Sequence, residues 1–267
     1  MMEENGGASL NSENGMATIL FDRKAARNAM LKATWHALPA LIAEAEADSK
    51  VAVIVMRGAN GHFGSGNDIA EFGTVRSDAA DCRAYGRAMA DAMLAVERAT
   101  KPVIAAIEGN CYGASVALTL AADFRVAAAN ARFAITPAKL GALYLRSDLH
   151  RLVAAIGQGQ ARRMIYTANA IEAAEAVAIG LVEQPVPPER FDMELASVLQ
   201  TILSGSPFTL HHTKRMLRSA GHGETPVEDE ESLGWFAEAM QSNDFSEGYA
   251  AFIEKRVPWF ARPASHS

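Results

Sequence analysis

The chain has 267 residues, of which 49% are hydrophobic and 21% are charged, and its mean hydropathy is +0.01. This composition is typical of a globular protein and excludes a disordered or collagen-like chain. The length fits one α/β domain of roughly 200–250 residues with an appended segment. Acidic residues outnumber basic residues by 31 to 25 and the chain has no basic run, so we expect neither a nucleic-acid partner nor an anionic membrane surface.

Two cysteines, Cys82 and Cys111, are too few for a disulfide framework or a four-thiolate zinc site, which favours a reducing compartment. Residues 1–15 are polar and acidic and lack the apolar segment of a secretory signal. No apolar run reaches the roughly 18–20 residues of a membrane helix. The histidines show no metal-binding spacing. We therefore predict a cytoplasmic protein without a membrane-spanning segment or a bound metal ion.

Short apolar runs predict four strands, at residues 17–21, 51–56, 103–107 and 124–127. Helices are predicted between them, the first ending near residue 47 and the others covering residues 78–99 and 114–122. Because proline is tolerated only in the first turn of a helix, Pro39 predicts that the first helix starts close to Leu38. The order strand, glycine loop, helix occurs twice. This order favours an α/β domain with parallel strands joined by crossover helices.

Helical patterns dominate from about residue 147 onward. They cover residues 148–156, 160–167, 171–179, 189–203, 209–219, 228–240 and 246–255. The sequence Ser-Gly-Ser-Pro at residues 204–207 is typical of a break between elements. We therefore divide the chain into an α/β core at residues 1–203 and a helical C-terminal segment at residues 204–267.

Two glycine-rich loops, at residues 61–68 and 109–115, follow predicted buried strands, where ligands bind in parallel α/β sheets. Both loops offer backbone N–H groups, and the second leads directly into a helix N-terminus. Two donors converging from separate loops would form an oxyanion hole. The spacing of the glycines is equally consistent with two tight turns that bind no ligand. Neither loop has the lysine of a phosphate-binding loop, the G-x-G-x-x-G of a dinucleotide site or the G-x-S-x-G of a nucleophile elbow.

Six segments in chain order carry a family resemblance. They are ILFDRKAARNA at 19–29, FGSGNDI at 63–69, AAIEGNCYGAS at 105–115, residues 133–141, Ser206-Pro207 with Lys214, and Glu247-Gly248 through Phe252 to Lys255-Arg256. Together these segments resemble the crotonase family, the enoyl-CoA hydratases and isomerases, over nearly the whole chain. The resemblance implies an α/β fold with a crotonase-like spiral of ββα units and a helical C-terminal segment, assembled as a homotrimer or hexamer.

The resemblance also implies an acyl-CoA thioester as substrate, with CoA as part of that substrate and no further cofactor. The thioester oxygen would accept hydrogen bonds from the backbone N–H groups of Asn67 and Ala114. The residues that would line the CoA are Ala25, Ala26, Arg27, Ser65, Asp68 and Ile69. The C-terminal segment would close the site, and Lys255 or Arg256 would reach a CoA phosphate across a subunit boundary. A solvated helix end explains these last two residues equally well.

The chain departs from the family at the two glutamates that hydratases use as acid and base. The corresponding residues are Ala117 and Ala138, and addition of water to a double bond needs a positioned acid and base. We therefore expect isomerisation, decarboxylation or another enolate reaction rather than ordinary hydration. The candidate proton carriers are Tyr144 and Asp148, four residues later. Tyr144 lies in a Leu-Gly-x-x-Tyr pattern similar to that of methylmalonyl-CoA decarboxylases, although these relatives have a histidine where this chain has Asn67 and a glutamate where it has Ala117.

Alternatives remain for these residues and for the function. If Tyr144 does not carry a proton, it is a core aromatic residue with a hydrogen-bonded hydroxyl. If Asp148 does not, it is the N-cap of a helix. If the segment is helical, the spacing of four residues places both side chains on one face. A CoA-binding relative without turnover, or an unrelated nucleotide-binding module, would replace the enzyme hypothesis. Four apolar residues are candidates for an acyl pocket as well as for core packing: Phe72, Met89, Met93 and Trp235.

Overall fold

The computed structural model describes residues 5–220 and 229–260. Within these ranges the strands are β1 Ala8–Glu13, β2 Met16–Phe21, β3 Val53–Gly58, β4 Val103–Ile107, β5 Asn110–Tyr112, β6 Phe124–Ala128, β7 Arg132–Ala134, β8 Ile171–Glu172 and β9 Gln184–Val186. The α-helices are α1 Lys32–Ala47, α2 Phe72–Val75, α3 Ala79–Arg98, α4 Ala114–Ala121, α5 Pro137–Leu140, α6 Arg146–Thr167, α7 Ala173–Ala178, α8 Phe191–Leu203, α9 Pro207–Ala220, α10 Glu230–Gln241 and α11 Asn243–Glu254. Short 3-10 helices lie at Lys24–Ala26, Ile69–Glu71 and Pro188–Arg190.

Six strands form one sheet in the order β1-β2-β3-β4-β6-β9, and β5-β7-β8 form a second, smaller sheet. The pairs of the larger sheet are parallel except for β1 with β2. Alternate residues of β3 face different layers. Val55 packs in a cluster with Phe191 of α8, whereas Ile54 and Met56 belong to the main core with Trp35 of α1. Apolar strands buried on both faces are typical of parallel sheets, so the predicted α/β core is confirmed.

Some elements differ from the sequence prediction. The prediction misses β1, a polar edge strand, and the two- and three-residue strands β5, β7, β8 and β9, which are too short to show a periodic pattern. The start predicted for α1 near Leu38 is wrong, because α1 begins at Lys32 and contains Pro39 in its interior. Trp35 and Leu38 are both fully buried, and this packing outweighs the helix hydrogen bond that proline removes.

The helical region after residue 145 also differs in detail. The two helices predicted at residues 148–156 and 160–167 are one element, α6, interrupted by the non-helical Gly157 with φ +71°. The helix predicted at residues 171–179 starts instead with β8, which pairs with β7 and completes the smaller sheet. Strand pairing therefore continues beyond the point at which the sequence pattern becomes purely helical.

The domain boundary predicted after residue 203 coincides with the end of α8. Beyond it, α9 is joined to the core by Lys214, whose Nζ lies 2.8 Å from the Asp123 carboxylate and donates to Lys101 O at 3.0 Å. Helix α10 begins after its N-cap Asp229, and the predicted first residue, Glu228, lies outside the described residues. Helices α10 and α11 pack on each other. In the described part of the chain, every helix is too short or too polar to cross a membrane.

Candidate active site

The first glycine loop lies between two other segments of the chain and is hydrogen-bonded to both. On one edge, the Gly64 N–H donates to Asn110 O at 3.0 Å, and the Tyr112 N–H donates to Gly64 O at 2.9 Å. On the other edge, the Met30 N–H donates to Gly66 O at 2.8 Å. The backbone of the loop is therefore fixed on both edges, like a strand within a sheet.

These hydrogen bonds set the direction of the Asn67 N–H. Asn67 forms an isolated parallel bridge with Met30. The bridge consists of the Met30 bond to Gly66 O and of the Asp68 N–H donating to Met30 O at 2.9 Å. In such a bridge the flanking residues supply the hydrogen bonds, and the central amide points to the opposite side. The Asn67 N–H therefore points away from Met30, to the edge on which the loop meets β5.

The second donor is the N–H of Ala114, the first residue of α4, whose N-cap Gly113 has φ +53°. The first N–H groups of a helix have no intrahelical acceptor. The loops meet at Gly66, where a Cβ would lie 3.2 Å from Ala114 N and 2.9 Å from Tyr112 O, and where φ +90° also favours glycine. Within residues 5–220 and 229–260, neither the Asn67 nor the Ala114 N–H donates to a protein acceptor. This arrangement can stabilise negative charge on an oxygen placed against both donors.

Two side chains that the sequence analysis did not single out hold these loops. The Ser115 hydroxyl, fully buried at the start of α4, accepts a hydrogen bond from the Gly66 N–H at 3.0 Å. Trp35 Nε1 donates to Asn67 Oδ1 at 2.9 Å. The position of Ser115 at a loop–helix junction was a usable signal. Nothing in the sequence connects Trp35 with Asn67, which is 32 residues away.

The residues expected to line the CoA lie on two adjoining segments. The Ser65 hydroxyl donates to Ala26 O at 2.8 Å and joins the segments. The Asp68 carboxylate accepts hydrogen bonds from Arg23 at 2.9 Å and from the Ala70 N–H at 3.0 Å, so it supports the loop. The other three expected CoA-lining residues are exposed on the same segments: Ala25, Arg27 and Ile69.

Lys255 lies at the end of α11, in the left-handed conformation with φ +54°. Arg256 is held by ion pairs with Glu247 and Glu254, both at 2.6 Å. In the described part of the chain, no hydrogen bond or ion pair joins the Lys255 side chain to the CoA-lining segments. Its role across a subunit boundary therefore stays a prediction.

Ala117 and Ala138, which the resemblance places at the glutamate positions of the hydratases, have different surroundings. Ala117 is fully buried within α4, whereas Ala138 is exposed at the start of α5. The carboxylates of the neighbouring loops are engaged with partners: Asp68 with Arg23, Glu71 with the Lys32 N–H at 2.7 Å, and Glu108 with Arg57 at 2.7 Å. Each of these three carboxylates thus accepts at least one hydrogen bond from a neighbouring segment.

Tyr144 lies between α5 and α6, with its half-buried ring packed against the main core. Its hydroxyl donates to Gly113 O at 2.5 Å and so contacts the peptide group that also carries the Ala114 N–H. Burial, followed by the negative charge of Asp148, raises the pKa of Tyr144 well above its ordinary value. The condition for a helix face shared with Asp148 is not met, because Tyr144 precedes the first residue of α6. The alternative of a core-packed aromatic with a satisfied hydroxyl agrees with these contacts.

Asp148 is buried in the first turn of α6. The alternative that it is the N-cap is wrong, because the N-cap is Leu145, whose carbonyl accepts the first helical hydrogen bonds. Asp148 Oδ1 accepts a hydrogen bond from Arg151 at 3.2 Å, and Arg151 also binds Glu97. Asp148 Oδ2 has no hydrogen-bond partner among the described residues. Burial raises the pKa of Asp148 to about 6 despite the nearby Arg151, a value that suits proton exchange near neutral pH.

The four candidate acyl-pocket residues do not form one group. Met89 Sδ lies 3.5 Å from the Asn67 side-chain amide nitrogen, which places Met89 beside the first loop. Phe72 and Met93 belong to the main core or pack against it. Trp235 lies on α10 and packs against a histidine ring of α9. Among residues 5–220 and 229–260, no group of three or more His, Cys, Asp or Glu side chains is placed to hold a metal ion.

Comparison with known proteins identifies the family. The sequence profile described as enoyl-CoA hydratase/isomerase matches residues 11–263. The chain belongs to the enoyl-CoA hydratase/isomerase family. A solved family protein from Hyphomonas neptunium superimposes with a TM-score of 0.92 at 36% identity, covering 96% of this chain and 98% of the other. The structure of an enoyl-CoA hydratase/carnithine racemase from Magnetospirillum magneticum superimposes with a TM-score of 0.90 at 29% identity, covering 96% of this chain and 95% of the other. The expected crotonase fold is confirmed, and an unrelated nucleotide-binding module is excluded.

Similar members of the enoyl-CoA hydratase/isomerase family differ in the reaction that they catalyse. The chain is 29% identical to a short-chain-enoyl-CoA hydratase from Clostridium acetobutylicum over 248 residues, covering 92% of this chain and 94% of the relative. It is 28% identical to methylmalonyl-CoA decarboxylase from Escherichia coli over 215 residues, covering 79% of this chain and 81% of the relative. Because these identities are nearly equal, the reaction of this family member has to be inferred from its own site.

Proposed function

We propose that this protein acts on an acyl-CoA thioester and forms an enolate by decarboxylation of a 2-carboxyacyl-CoA. One observation carries the proposal. The Asn67 and Ala114 N–H groups have no protein acceptor within the described residues, and the two positions that the resemblance assigns to the hydratase glutamates hold alanines, Ala117 and Ala138. The site thus keeps donors for an enolate oxygen and lacks the carboxylate pair that hydration uses.

Electrostatics favour a substrate that itself carries a carboxylate. Two carboxylates about 5 Å apart, at an effective dielectric constant of about 20, repel each other by about 3 kcal/mol. Two glutamates at these positions would therefore oppose a 2-carboxyl group more strongly than the one glutamate that methylmalonyl-CoA decarboxylases have at the position of Ala117. Alanines remove this repulsion, and the buried surroundings of Ala117 favour a reaction in which the carboxylate loses its charge as CO2.

The proposed reaction needs no base to form the enolate. The bond between C2 and the carboxylate carbon breaks, CO2 leaves, and the electron pair of that bond forms the thioester enolate. The N–H groups of Asn67 and Ala114 stabilise the charge on the enolate oxygen, a role in which one donor is typically worth about 10²–10³ in rate. The enolate then takes one proton from the solvent at C2 and becomes the decarboxylated acyl-CoA.

Isomerisation of an enoyl-CoA is a second candidate, which Asp148 favours. Its Oδ2 has no partner in the described ranges, and a pKa of about 6 suits a group that removes a proton and returns it to another carbon. Asp148 is only 1% exposed. The acyl group would therefore have to displace neighbouring side chains to reach it. A CoA-binding protein without turnover is the alternative to both reactions.

Product analysis distinguishes these functions. The protein is incubated separately with methylmalonyl-CoA, a 3-enoyl-CoA, crotonyl-CoA and a 3-hydroxyacyl-CoA, and the products are identified by mass spectrometry. We expect CO2 loss from methylmalonyl-CoA and its absence in Ala114→Pro, which removes the donor N–H. Double-bond movement that Asp148→Asn abolishes would replace this proposal with isomerisation. Binding of CoA without turnover of the four thioesters would favour the non-catalytic alternative.

We also propose that the protein assembles as a homotrimer or hexamer through its C-terminal segment. Large apolar side chains are exposed there: Phe236, Met240, Tyr249, Phe252, Val257 and Trp259. Exposed apolar patches of this kind mark interfaces, and assembly would let Lys255 approach the CoA of a neighbouring subunit. Light scattering should show a trimer or hexamer that Phe252→Glu dissociates. Lys255→Ala should raise the KM for the thioester without changing the assembly.

A further inference from the structure

The Tyr144 hydroxyl and the Ala114 N–H act at opposite ends of one peptide group. Gly113 O accepts hydrogen bonds from the Tyr144 hydroxyl at 2.5 Å and from the Val116 N–H at 3.0 Å. The peptide bond between Gly113 and Ala114 is trans, so its C=O and N–H point in opposite directions. A hydrogen bond accepted at Gly113 O therefore changes the donor strength of the Ala114 N–H.

The direction of this change is fixed by the electronic structure of the amide. A donor at the oxygen draws electron density from the nitrogen and increases the positive charge on the N–H. Hydrogen bonds in such a chain strengthen one another by about 10–30% each. Every residue of α4 is buried, so the surrounding medium screens this polarisation less than water does.

We infer that Tyr144 is a positioning residue for the oxyanion hole, which orients and polarises the Ala114 N–H through Gly113 O and does not protonate the enolate. The inference rests on the proposed function of the Ala114 N–H as an oxyanion donor. In the sequence analysis, Tyr144 is a candidate proton carrier. The inference assigns it instead to stabilisation of the enolate charge.

The surroundings of Tyr144 keep its hydroxyl a donor. The titratable groups that face it are Asp148 on α6 and Cys111 on β5, and burial together with the charge of Asp148 raises the pKa of Tyr144. The hydroxyl therefore stays protonated at physiological pH. Transfer of its proton to the substrate would break the bond to Gly113 O and weaken the oxyanion donor when the enolate charge is largest.

Isotope-edited infrared spectroscopy tests this role. The ligand is butyryl-CoA labelled with 13C at the thioester carbonyl, used at saturation, since it has no carboxylate to lose and needs only to bind. Hydrogen bonds to a carbonyl oxygen lower its stretching frequency. We expect Tyr144→Phe, which keeps the ring, to raise this frequency and to slow decarboxylation by about two- to tenfold. Tyr166→Phe removes an exposed hydroxyl from α6 and serves as the control that leaves both unchanged.

The outcomes separate the possible roles. An unchanged carbonyl frequency in Tyr144→Phe overturns the inference. An unchanged frequency with a loss of turnover of about 10²–10⁴ would instead identify Tyr144 as the proton donor. If the wild-type protein does not decarboxylate methylmalonyl-CoA, the proposed reaction fails, but the frequency of bound butyryl-CoA still decides the role of Tyr144.

Discussion

The two glycine loops and the segment from α5 to the start of α6 contribute to the site in different ways. The loops present main-chain donors, and hydrogen bonds to Met30, Asn110 and Ser115 fix their backbone. The α5–α6 segment contributes side chains, and much of it is exposed, Leu143 to 94%. Under the proposed function, stabilisation of the thioester charge would depend on the backbone of the fold. The choice of reaction would depend on a few side chains that can change while this backbone stays the same.

The largest expected effect comes from Gly66→Ala, because the added Cβ would lie 3.2 Å from Ala114 N and 2.9 Å from Tyr112 O. We expect kcat/KM for methylmalonyl-CoA to fall by about 10²–10³-fold, the usual loss for one oxyanion donor. Gly61→Ala is the matched control, since Gly61 also has a positive φ of +70° but a Cβ added there would meet no atom within 4 Å. It should cost only about 1 kcal/mol of stability. Equal losses of activity in the two variants would show that the contact between the loops is not required.

Asp148→Asn tests the buried carboxyl group of α6 through its effect on the stability of the protein. The pKa of Asp148 rises from 3.8 to about 6 on folding, so the folded state favours the protonated acid. The stability that the protonated Asp148 contributes to the folded state is lost as pH rises from about 4 to about 6. Asp148→Asn should therefore raise the free energy of unfolding by about 2–3 kcal/mol at pH 8 and have little effect at pH 4. Urea unfolding at the two pH values checks this, and a pH-independent difference would contradict the raised pKa.

Ala117→Glu tests whether charge at the glutamate position opposes decarboxylation. Its matched control is Ala117→Gln, which places a side chain of similar size in the same buried position of α4. Repulsion of the substrate carboxylate should make CO2 release by the Glu variant at least about tenfold slower than by the Gln variant. The measurement is kcat/KM for methylmalonyl-CoA. Equal rates in the two variants would remove the electrostatic argument for a carboxylated substrate.

The smallest expected effect is that of Ser115→Ala, which leaves the Gly66 N–H without the acceptor it has at 3.0 Å. Such a loss typically costs about 1–2 kcal/mol of stability. Ser77→Ala, at an exposed hydroxyl bonded to Thr74 O, should stay within about 0.5 kcal/mol of the wild type. Thermal unfolding of both variants gives the comparison. A Ser115 variant as stable as the Ser77 variant would show that this hydrogen bond does not fix the loop.

The main-chain part of the site was easier to predict from the sequence than the side-chain part. Glycine spacing after buried strands indicated both loops, since close backbone approach leaves a compositional signal. The surroundings of Tyr144 and Asp148 left no such signal, because they depend on where α6 begins. The sequence indicated a start at residue 148, whereas the helix starts at Arg146. The contact of Trp35 with Asn67 and the pairing of β7 with β8 depend on tertiary folding, which local patterns do not encode.

A crystal structure with bound butyryl-CoA tests the central claim most directly, because the claim concerns the position of one oxygen atom. The account predicts that the thioester oxygen lies about 2.7–3.1 Å from both Asn67 N and Ala114 N. It also predicts that Tyr144 remains hydrogen-bonded to Gly113 O. A thioester oxygen that contacts neither nitrogen would contradict the oxyanion hole and the enolate reaction derived from it.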